Sequence, residues 1–254
     1  MRIQSFGISD QGLFRDHNED YFSVDEKTGL FLVADGMGGL SKGDVASRIA
    51  IETIEDFVKH SRLEDITWPI KPHDDYSLEE NRFLAAISLA NWNIYNEFRK
   101  DVHNRHMGTT LVGLLVDNEK LVIANVGDSR IYRIGKDVIE QLTEDHSLVM
   151  DEVRKGAMTL DEARNHPQKH VINRALGISE STQVDISTLD IMETDLYLLC
   201  SDGLSDMLTD DDMLSLIQAN EDRGIEDQAE ALLEAANHQG GRDNITVVLV
   251  RFLQ

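Results

Sequence analysis

The middle of the chain consists of strand-like runs joined by very short connections, and this feature constrains the fold most. The runs cover residues 110–116, 121–126, 130–134 and 138–142, with three or four residues between one run and the next. A parallel crossover needs about a dozen residues or more, because the chain must return to the edge of the sheet where the first strand began. We therefore predict that these strands pair antiparallel.

The regions on both sides carry further strand and helix patterns. Apolar residues recur at steps of three and four from Ala46 to Phe57 and from Phe83 to Phe98, which predicts two helices. Between them, the segment 64–80 holds two of the three prolines and is predicted to be an irregular surface insertion. Other predicted strands cover 2–9, 21–24, 30–34, 184–189, 196–200 and 245–252, and other predicted helices cover 147–155, 160–165, 211–219 and 226–238. We expect one α+β domain over residues 1–254, with antiparallel sheets covered by helices.

Net charge and cysteine content indicate which partners and cross-links this chain is expected to lack. Aspartate and glutamate number 47 against 24 lysine and arginine, which gives a net charge of −23. So acidic a chain is expected to avoid nucleic acid. The single cysteine, Cys200, allows no internal disulfide. Since neither a signal peptide nor the roughly 20 apolar residues of a membrane span are recognisable, we expect a cytoplasmic monomer without membrane contact.

Four aspartates stand beside glycine or asparagine where predicted strands end or begin. They are Asp35, Asp128, Asp202 and Asp243. Taken singly, each such dipeptide is more typical of a turn than of a functional site. Taken as a set, carboxylates gathered at rigid strand ends would repel one another and raise their own pKa values unless a cation shared them. Oxygen ligands without a cysteine or histidine cluster suit Mg²⁺ or Mn²⁺ better than zinc.

Such a site would favour hydrolysis of a phosphate ester. A carboxylate that bridges two cations would hold and activate a water between them. The phosphate oxygens would need a positive partner, and Arg15, which lies between two early predicted strands, offers a planar bidentate fork. The alternative for Arg15 alone is a surface ion pair with Asp16 or Glu19.

Eight short segments follow one another in a distinctive order. They are Arg15…Asn18-Glu19-Asp20, Ala34-Asp35-Gly36-Met37-Gly38-Gly39, Gly108-Thr109-Thr110, Asn125-Val126-Gly127-Asp128-Ser129-Arg130, Leu142-Thr143-Glu144-Asp145-His146-Ser147, Ala175-Leu176-Gly177, Cys200-Ser201-Asp202-Gly203-Leu204 and Gly241-Arg242-Asp243-Asn244. Any one of them is weakly specific, but the full ordered set is highly specific. The chain resembles the PPM family, the type 2C metal-dependent protein phosphatases, in their short bacterial form. The resemblance runs from about Gln4 to Phe252.

The resemblance implies a four-layer α-β-β-α sandwich, in which helices flank two central antiparallel sheets and the cations lie at one end. The implied cofactor is Mn²⁺ or Mg²⁺, two per chain. Asp35 would bridge the two cations, and the Gly36 carbonyl would bind one of them. Asp202 and Asp243 would complete the other, and Asn244 would support the ligands without contacting a cation.

The remaining implied roles concern water, phosphate and a third cation. Glu19 would hold a water on a cation, and Arg15 would bind the substrate phosphate. In bacterial relatives a third cation lies between the equivalents of Asp128 and Asp202. Asp20 is expected to support the ligands from behind.

Two positions depart from variants of the family. Some relatives, mostly eukaryotic, have a histidine assigned as general acid where this chain has Met37. Many bacterial relatives have methionine there and a histidine where this chain has Leu40. Since neither histidine is present, the proton for the leaving alkoxide is expected from elsewhere, such as a water on the third cation. Acid catalysis should then be reduced or rerouted, with activity retained.

A basic segment interrupts the acidic chain. Residues 164–174 contain no acid and carry Arg164, His166, Lys169, His170 and Arg174. In bacterial relatives this stretch belongs to a mobile flap beside the active site, which would cover about 147–180 here. Our hypothesis is that Lys169 and His170 bind anionic phosphosegments and select substrates. The alternative is that these cations pair with nearby acids such as Asp161 and Glu162.

The predicted function is hydrolysis of phosphoserine and phosphothreonine on proteins by a metal-activated water, in opposition to Ser/Thr kinases. One alternative is a catalytically inactive metal-binding regulatory module of the same fold, and another is a phosphatase of small phosphate esters. The presence of Arg15 and the four aspartates argues against the inactive module. A thiolate phosphatase is excluded because it needs arginine six residues after its cysteine, and Asp206 stands at that distance from Cys200.

Overall fold

The computed structural model describes residues 2–38, 42–63, 67–99, 107–192 and 195–253. The strands are β1 (Arg2–Asp10), β2 (Asp20–Asp25), β3 (Leu30–Met37), β4 (Gly108–Thr109), β5 (Leu111–Asp117), β6 (Lys120–Val126), β7 (Arg130–Ile134), β8 (Ile139–Gln141), β9 (Asp185–Asp190), β10 (Leu196–Cys200) and β11 (Ile245–Leu253). The helices are α1 (Gly43–Leu63), α2 (Leu78–Phe98), α3 (Leu148–Arg154), α4 (Leu160–Arg164), α5 (Asp202–Ser205), α6 (Asp210–Ala219) and α7 (Ile225–His238).

The strands form two sheets. The order is β1-β11-β10-β7-β8 in the five-stranded sheet and β2-β3-β5-β6-β9 in the six-stranded sheet, where β4 also pairs with β3. Every pairing between the described strands is antiparallel. This confirms the predicted antiparallel pairing of β5 with β6 and of β7 with β8. The prediction was wrong for the connection between β6 and β7, because these two strands lie in different sheets and the short turn between them crosses from one sheet to the other.

Three apolar layers hold the sheets and helices together. One layer lies between the six-stranded sheet and the pair α1 and α2. A second lies between the five-stranded sheet and the helices α5, α6 and α7. The third lies between the two sheets. The predicted four-layer α-β-β-α sandwich is therefore confirmed.

Strand β3 shows why its sequence is apolar without alternation. Leu30 and Leu32 point to the layer under the helices, whereas Phe31 and Val33 point to the layer between the sheets. All of them have no exposed surface, and burying one such side chain contributes about 1.5–3 kcal/mol. A strand buried on both faces needs apolar residues at every position. The run stops at Asp35, where the strand reaches the end of the sandwich.

Some boundaries differ from those predicted. Helix α2 begins at Leu78, inside the segment expected to be irregular, because Ser77 and Glu80 form a capping box at its start. Neither α5 nor β4 was predicted, since one helical turn or two strand residues leave no periodic pattern. Among the described helices, none combines the length and apolar character that a membrane span requires. The single-domain interpretation and the limits of the flap remain predictions.

Candidate metal centre

Asp35 is held by its backbone at the end of β3. On one side it pairs with Asp20 of β2. On the other side the N–H of Thr110 donates to the Asp35 carbonyl at 2.9 Å, and the Thr110 hydroxyl accepts from the Asp35 N–H at 3.0 Å. The Thr109 hydroxyl donates to the same carbonyl at 2.8 Å. These contacts give the Gly108-Thr109-Thr110 segment a structural role, which is to fix the strand end that carries the Asp35 carboxylate.

Gly36 lies where the chain leaves no room for a side chain. A Cβ at this position would lie 2.1 Å from the Gly43 carbonyl oxygen and 2.5 Å from the Glu19 carbonyl oxygen. The Gly43 N–H, at the start of α1, donates to the Glu19 carboxylate at 3.1 Å. Only glycine therefore fits here, and the Gly36 backbone lies against both Glu19 and the first turn of α1.

Asn244 ties together the loops before β2 and before β11. Its side-chain oxygen accepts from the Glu19 N–H at 2.8 Å. Its side-chain nitrogen donates to the carbonyls of Gln11 and His17, both at 2.9 Å. Asn244 thereby positions Glu19, and its support of the cation ligands remains a prediction.

Arg15 pairs with a residue far away in the sequence. Its Nη2 donates to Asp243 Oδ2 at 2.6 Å, and the two side chains are 52% and 33% exposed. The ion pair with Asp16 or Glu19 that was considered as an alternative is thus replaced by a pair with Asp243. This contact brings the candidate phosphate-binding residue to the edge of the acidic cluster.

Asp20 and Asp202 each carry a buried oxygen without a hydrogen-bond partner. Asp20 Oδ2 accepts from the hydroxyls of Ser201 at 2.8 Å and Thr246 at 2.6 Å. Asp20 Oδ1 and Asp202 Oδ1 have no partner and are buried. Buried polar atoms are rarely left without a partner in native proteins. Their presence here indicates a position where an additional ligand binds.

The buried acidic groups lie close enough together to raise one another's pKa values. Burial raises the pKa of Asp35 well above the ordinary carboxyl value, and the charges of Asp20 and Asp202 raise it further. Burial likewise raises the pKa of Asp202, with Asp128 and Asp206 as the next causes. Burial also raises the pKa of Asp20 to about 6 and that of Asp128 to about 7. Such a cluster is stable in its ionised form only when positive charge enters it.

A cavity of ≈ 490 Å³ opens onto these residues. The predicted site residues that line it are Arg15, Glu19, Asp35, Gly36, Asp128, Lys169, His170, Asp202, Asp243 and Asn244. Asp20 does not line the cavity, because it is buried behind the strand ends. The structure therefore brings predicted site residues from distant parts of the chain to one cavity, whereas no residue of 142–147 or 175–177 lines it.

The donor set suits hard divalent cations. Most of the candidate ligands are carboxylates, and the Gly36 backbone adds a carbonyl oxygen. Oxygen-only coordination is typical of Mg²⁺ and Mn²⁺. The unpartnered oxygen of Asp202, which lines the cavity, fits the same conclusion. The residues present therefore match the cofactor that the sequence implied.

The basic segment reaches the cavity through Asp206. Lys169 Nζ lies 2.9 Å from Asp206 Oδ1, and His170 Nδ1 lies 3.1 Å from Asp206 Oδ2. Asp206 follows α5, and its N–H donates to the carbonyl of Asp202 at 2.8 Å. Sequence reasoning missed Asp206. Its spacing of four residues from Asp202 would have placed both on one helix face, had α5 been recognised.

The two arginines of the segment also pair with acids. Arg164 lies 3.7 Å from Asp210, and Arg174 lies 2.8 Å from Asp185. The acids suggested from sequence proximity were Asp161 and Glu162, but Glu162 instead caps the start of α4. Pairing with acids is thus observed, but with residues that are distant in sequence.

Two positions at which relatives carry a histidine hold Met37 and Leu40 in this chain. Met37 lines the cavity and offers no proton donor. Leu40, the second departure from the family pattern, lies outside the described residues. His170 places an imidazole in the cavity lining.

Comparisons with known proteins show which family the chain resembles over nearly its whole length. The family model described as Protein phosphatase 2C matches residues 14–244. The chain is 39% identical over 250 residues to the serine/threonine phosphatase stp of Listeria innocua, covering 95% of this chain and 93% of that one. The crystal structure of the Mycobacterium tuberculosis serine/threonine phosphatase PstP/Ppp is similar with a TM-score of 0.87 and 31% identity, covering 100% of both chains. A PstP catalytic domain in complex with 2 manganese ions is similar with a TM-score of 0.82 and 31% identity, covering 99% of both chains.

Proposed function

Because the chain belongs to the protein phosphatase 2C family of serine/threonine phosphatases, we propose that its buried aspartates hold the divalent cations of a phosphoprotein phosphatase. The activity is protein dephosphorylation, and it depends on a divalent metal. The single observation that carries the assignment of residues is the convergence of Asp35, Asp202 and Asp243 on one cavity.

Specific oxygens would hold the cations. Asp35 would contribute to both, since it lies at a rigid strand end between the other acids. The Gly36 carbonyl would bind on one side, and Asp202 and Asp243 would bind on the other. Glu19, which Gly43 and Asn244 position, would hold a water beside the cations.

Arg15, Asp35 and Asp202 would orient the phosphate and keep the charges of the site in place. When bound, the cations supply positive charge and lower the pKa of an adjacent water. Arg15 would orient the phosphate, because its guanidinium lines the cavity, is about half exposed and matches two phosphate oxygens at once. Asp35 and Asp202 would keep their carboxylates fixed during the reaction, which avoids reorganisation as charge develops.

The number and identity of the cations are part of the proposal. We assign two Mn²⁺ or Mg²⁺ ions to the cluster around Asp35, and the PstP domain that holds two manganese ions supports this count. A third position would lie beside Asp128 and Asp202, where the charge of Asp128 raises the pKa of Asp202. A water there would be a proton source for the leaving group, in place of the histidines that this chain lacks.

The substrate and its setting follow from chemistry and charge. Phosphoproteins are the substrates, and we propose that a Ser/Thr kinase generates them. A net charge of −23 disfavours nucleic acid as a substrate. Lys169 and His170 would offer positive charge to the segment around the phosphorylated residue, at the edge of the same cavity. We further propose that the protein works as a monomer in the cytoplasm.

Hydrolysis of a phosphothreonine peptide tests the proposal. Phosphate release should occur with Mn²⁺ or Mg²⁺, stop with a chelator, and return when the cation is restored. The same measurement on a nucleoside monophosphate separates the alternatives, since a phosphoprotein phosphatase should prefer the peptide. Release that persists in chelator would contradict the assigned site, and a clear preference for the nucleotide would favour the phosphatase of small esters.

A further inference from the structure

Two of the ordered sequence segments contact each other beside the candidate metal centre. We name residues 125–130 the Asp128 turn, because it connects β6 to β7 and carries Asp128. Residues 144–146 lie along this turn. Asn125 donates to the Glu144 carbonyl at 2.7 Å, and Arg130 Nη2 lies 2.7 Å from Asp145. The proposed function uses Asp128 but gives no role to residues 144–146.

His146 forms hydrogen bonds with both polar groups of the Gly127 backbone. The His146 N–H donates to the Gly127 carbonyl at 2.9 Å, and the Gly127 N–H donates to His146 Nδ1 at 3.1 Å. Gly127 has a φ of 111°, which side chains rarely tolerate, and a Cβ there would lie 2.7 Å from Thr110. The conformation of Gly127 sets the direction in which the next residue, Asp128, leaves the turn.

The imidazole of His146 is buried between the Gly127 peptide and Asp185. It is 1% exposed, and its Nδ1 carries no proton because that nitrogen accepts the Gly127 N–H. Its Nε2 lies 3.0 Å from Asp185 Oδ2 and 3.2 Å from Arg174 Nη1. Burial lowers the pKa of His146, and the nearby Arg174 lowers it further, against the opposing effect of Asp185. The neutral imidazole thus accepts on one side and donates on the other.

The same residue joins the turn to the base of the flap segment. The His146 carbonyl accepts from the Asn173 N–H at 2.9 Å, and Ser147 pairs with Ile172 as an isolated bridge. These contacts lie at the two ends of the segment that carries Lys169 and His170. His146 therefore stands between the Asp128 turn and the base of that segment.

From this geometry, and resting on the proposed function, we propose that His146 is a positioning residue for cation binding at Asp128. Its Nδ1 holds the Gly127 peptide, so that the Asp128 carboxylate stays in the cavity that Asp202 also lines. The hydrogen bond at Nε2 to Asp185 only orients the ring. Groups that position a metal ligand commonly change metal affinity by about 10–100-fold when they are removed.

Two substitutions distinguish the roles of the two ring nitrogens of His146. In His146→Asn an amide oxygen takes the place of Nδ1, so the acceptor for Gly127 is kept and the contact with Asp185 is lost. In His146→Gln an amide nitrogen takes the place of Nε2, so the contact with Asp185 is kept and the Gly127 N–H loses its acceptor. Asp185→Asn is the matched control, because it alters the outer contact without touching Gly127. Asp128→Asn defines which binding event depends on Asp128.

Calorimetric titration with Mn²⁺ is the test, with the melting temperature of each variant as a check of folding. His146→Asn and Asp185→Asn should keep the Kd of the Asp128-dependent site within about threefold of the wild type. His146→Gln should weaken that Kd by at least about tenfold and leave the other sites unchanged. Equal Kd values for the Asn and Gln variants would overturn the positioning role. A wild type that binds Mn²⁺ without any site sensitive to Asp128→Asn would overturn it too, whereas a wild type that binds no Mn²⁺ would overturn the proposed function as well.

A measurement on the wild type keeps the inference testable if a variant does not fold. The amide ¹⁵N of Gly127 and the Nδ1 of His146 should show a scalar coupling across their hydrogen bond. Titration with diamagnetic Mg²⁺ should shift both resonances at one midpoint. Absence of the coupling, or resonances that do not respond to Mg²⁺, would contradict the proposal.

Discussion

Replacing Asp35 with asparagine should make the protein more stable without cations and less stable with them. Asp35 is buried among acids that raise its pKa. Removing one of two like charges about 8 Å apart relieves roughly 2 kcal/mol at an effective dielectric constant of about 20. A cation present at about 100 times its Kd stabilises the wild type by about 2.7 kcal/mol. For a chain of this length, 1 kcal/mol corresponds to about 2–4 °C in Tm.

The expected thermal shifts follow from these free energies. In chelator, Asp35→Asn should melt about 4–8 °C above the wild type. In saturating Mn²⁺, the wild type should gain about 5–10 °C and the variant little or nothing. The variant should also lose Mn²⁺-dependent hydrolysis, which the same samples can report.

Differential scanning calorimetry of both proteins, in chelator and across a Mn²⁺ series, measures the effect. Glu230→Gln is the matched control, because Glu230 is exposed on α7 and its substitution changes the net charge equally. The control should behave like the wild type in every condition. An Asp35→Asn variant that melts below the wild type in chelator, or that keeps the full Mn²⁺ gain, would refute the reasoning.

Three further predictions concern phosphate, pH and the flap. Arg15→Lys should lower kcat/KM on a phosphothreonine peptide by about tenfold or more, because lysine loses the bidentate fork; an unchanged value would exclude phosphate binding by Arg15. In chelator, Tm should fall between about pH 4 and 7, because the folded-state pKa of Asp128 is raised from 3.8 to about 7 and the stability that its protonated form contributes is lost as pH rises through this range. Excess Mn²⁺ should flatten this slope, and a Tm in chelator that is constant or rises with pH would count against the buried cluster. Alanine at Lys169 and His170 should reduce turnover of phosphopeptides several-fold more than turnover of a small aryl phosphate, whereas equal losses would remove the role of the flap in substrate selection.

The strand ends were predictable because local composition determines them. Apolar runs buried on both faces can end only where the chain leaves the core, and Asp35 and Asp202 mark two such ends. The short connections likewise left antiparallel pairing as the expected arrangement. The ends of the apolar runs and the order of the motifs therefore predicted most of the acidic residues that line the cavity.

The side-chain partners could not be predicted, because they join residues far apart in the chain. Arg15 and Asp243 are separated by 228 positions, and Asp20 and Thr246 by 226. Proximity in sequence instead suggested Asp16 and Glu19 as partners for Arg15. Helix α5 was missed for a different reason, since a single turn that contains Gly203 resembles an ordinary Asp-Gly turn.

Anomalous X-ray scattering from crystals grown with Mn²⁺ would test the central claim most directly. The account predicts strong manganese peaks within about 2.0–2.3 Å of carboxylate oxygens of Asp35, Asp202 and Asp243, with one peak also contacting the Gly36 carbonyl. Crystals that contain Mn²⁺ at saturating concentration but show no anomalous density between these residues would contradict it.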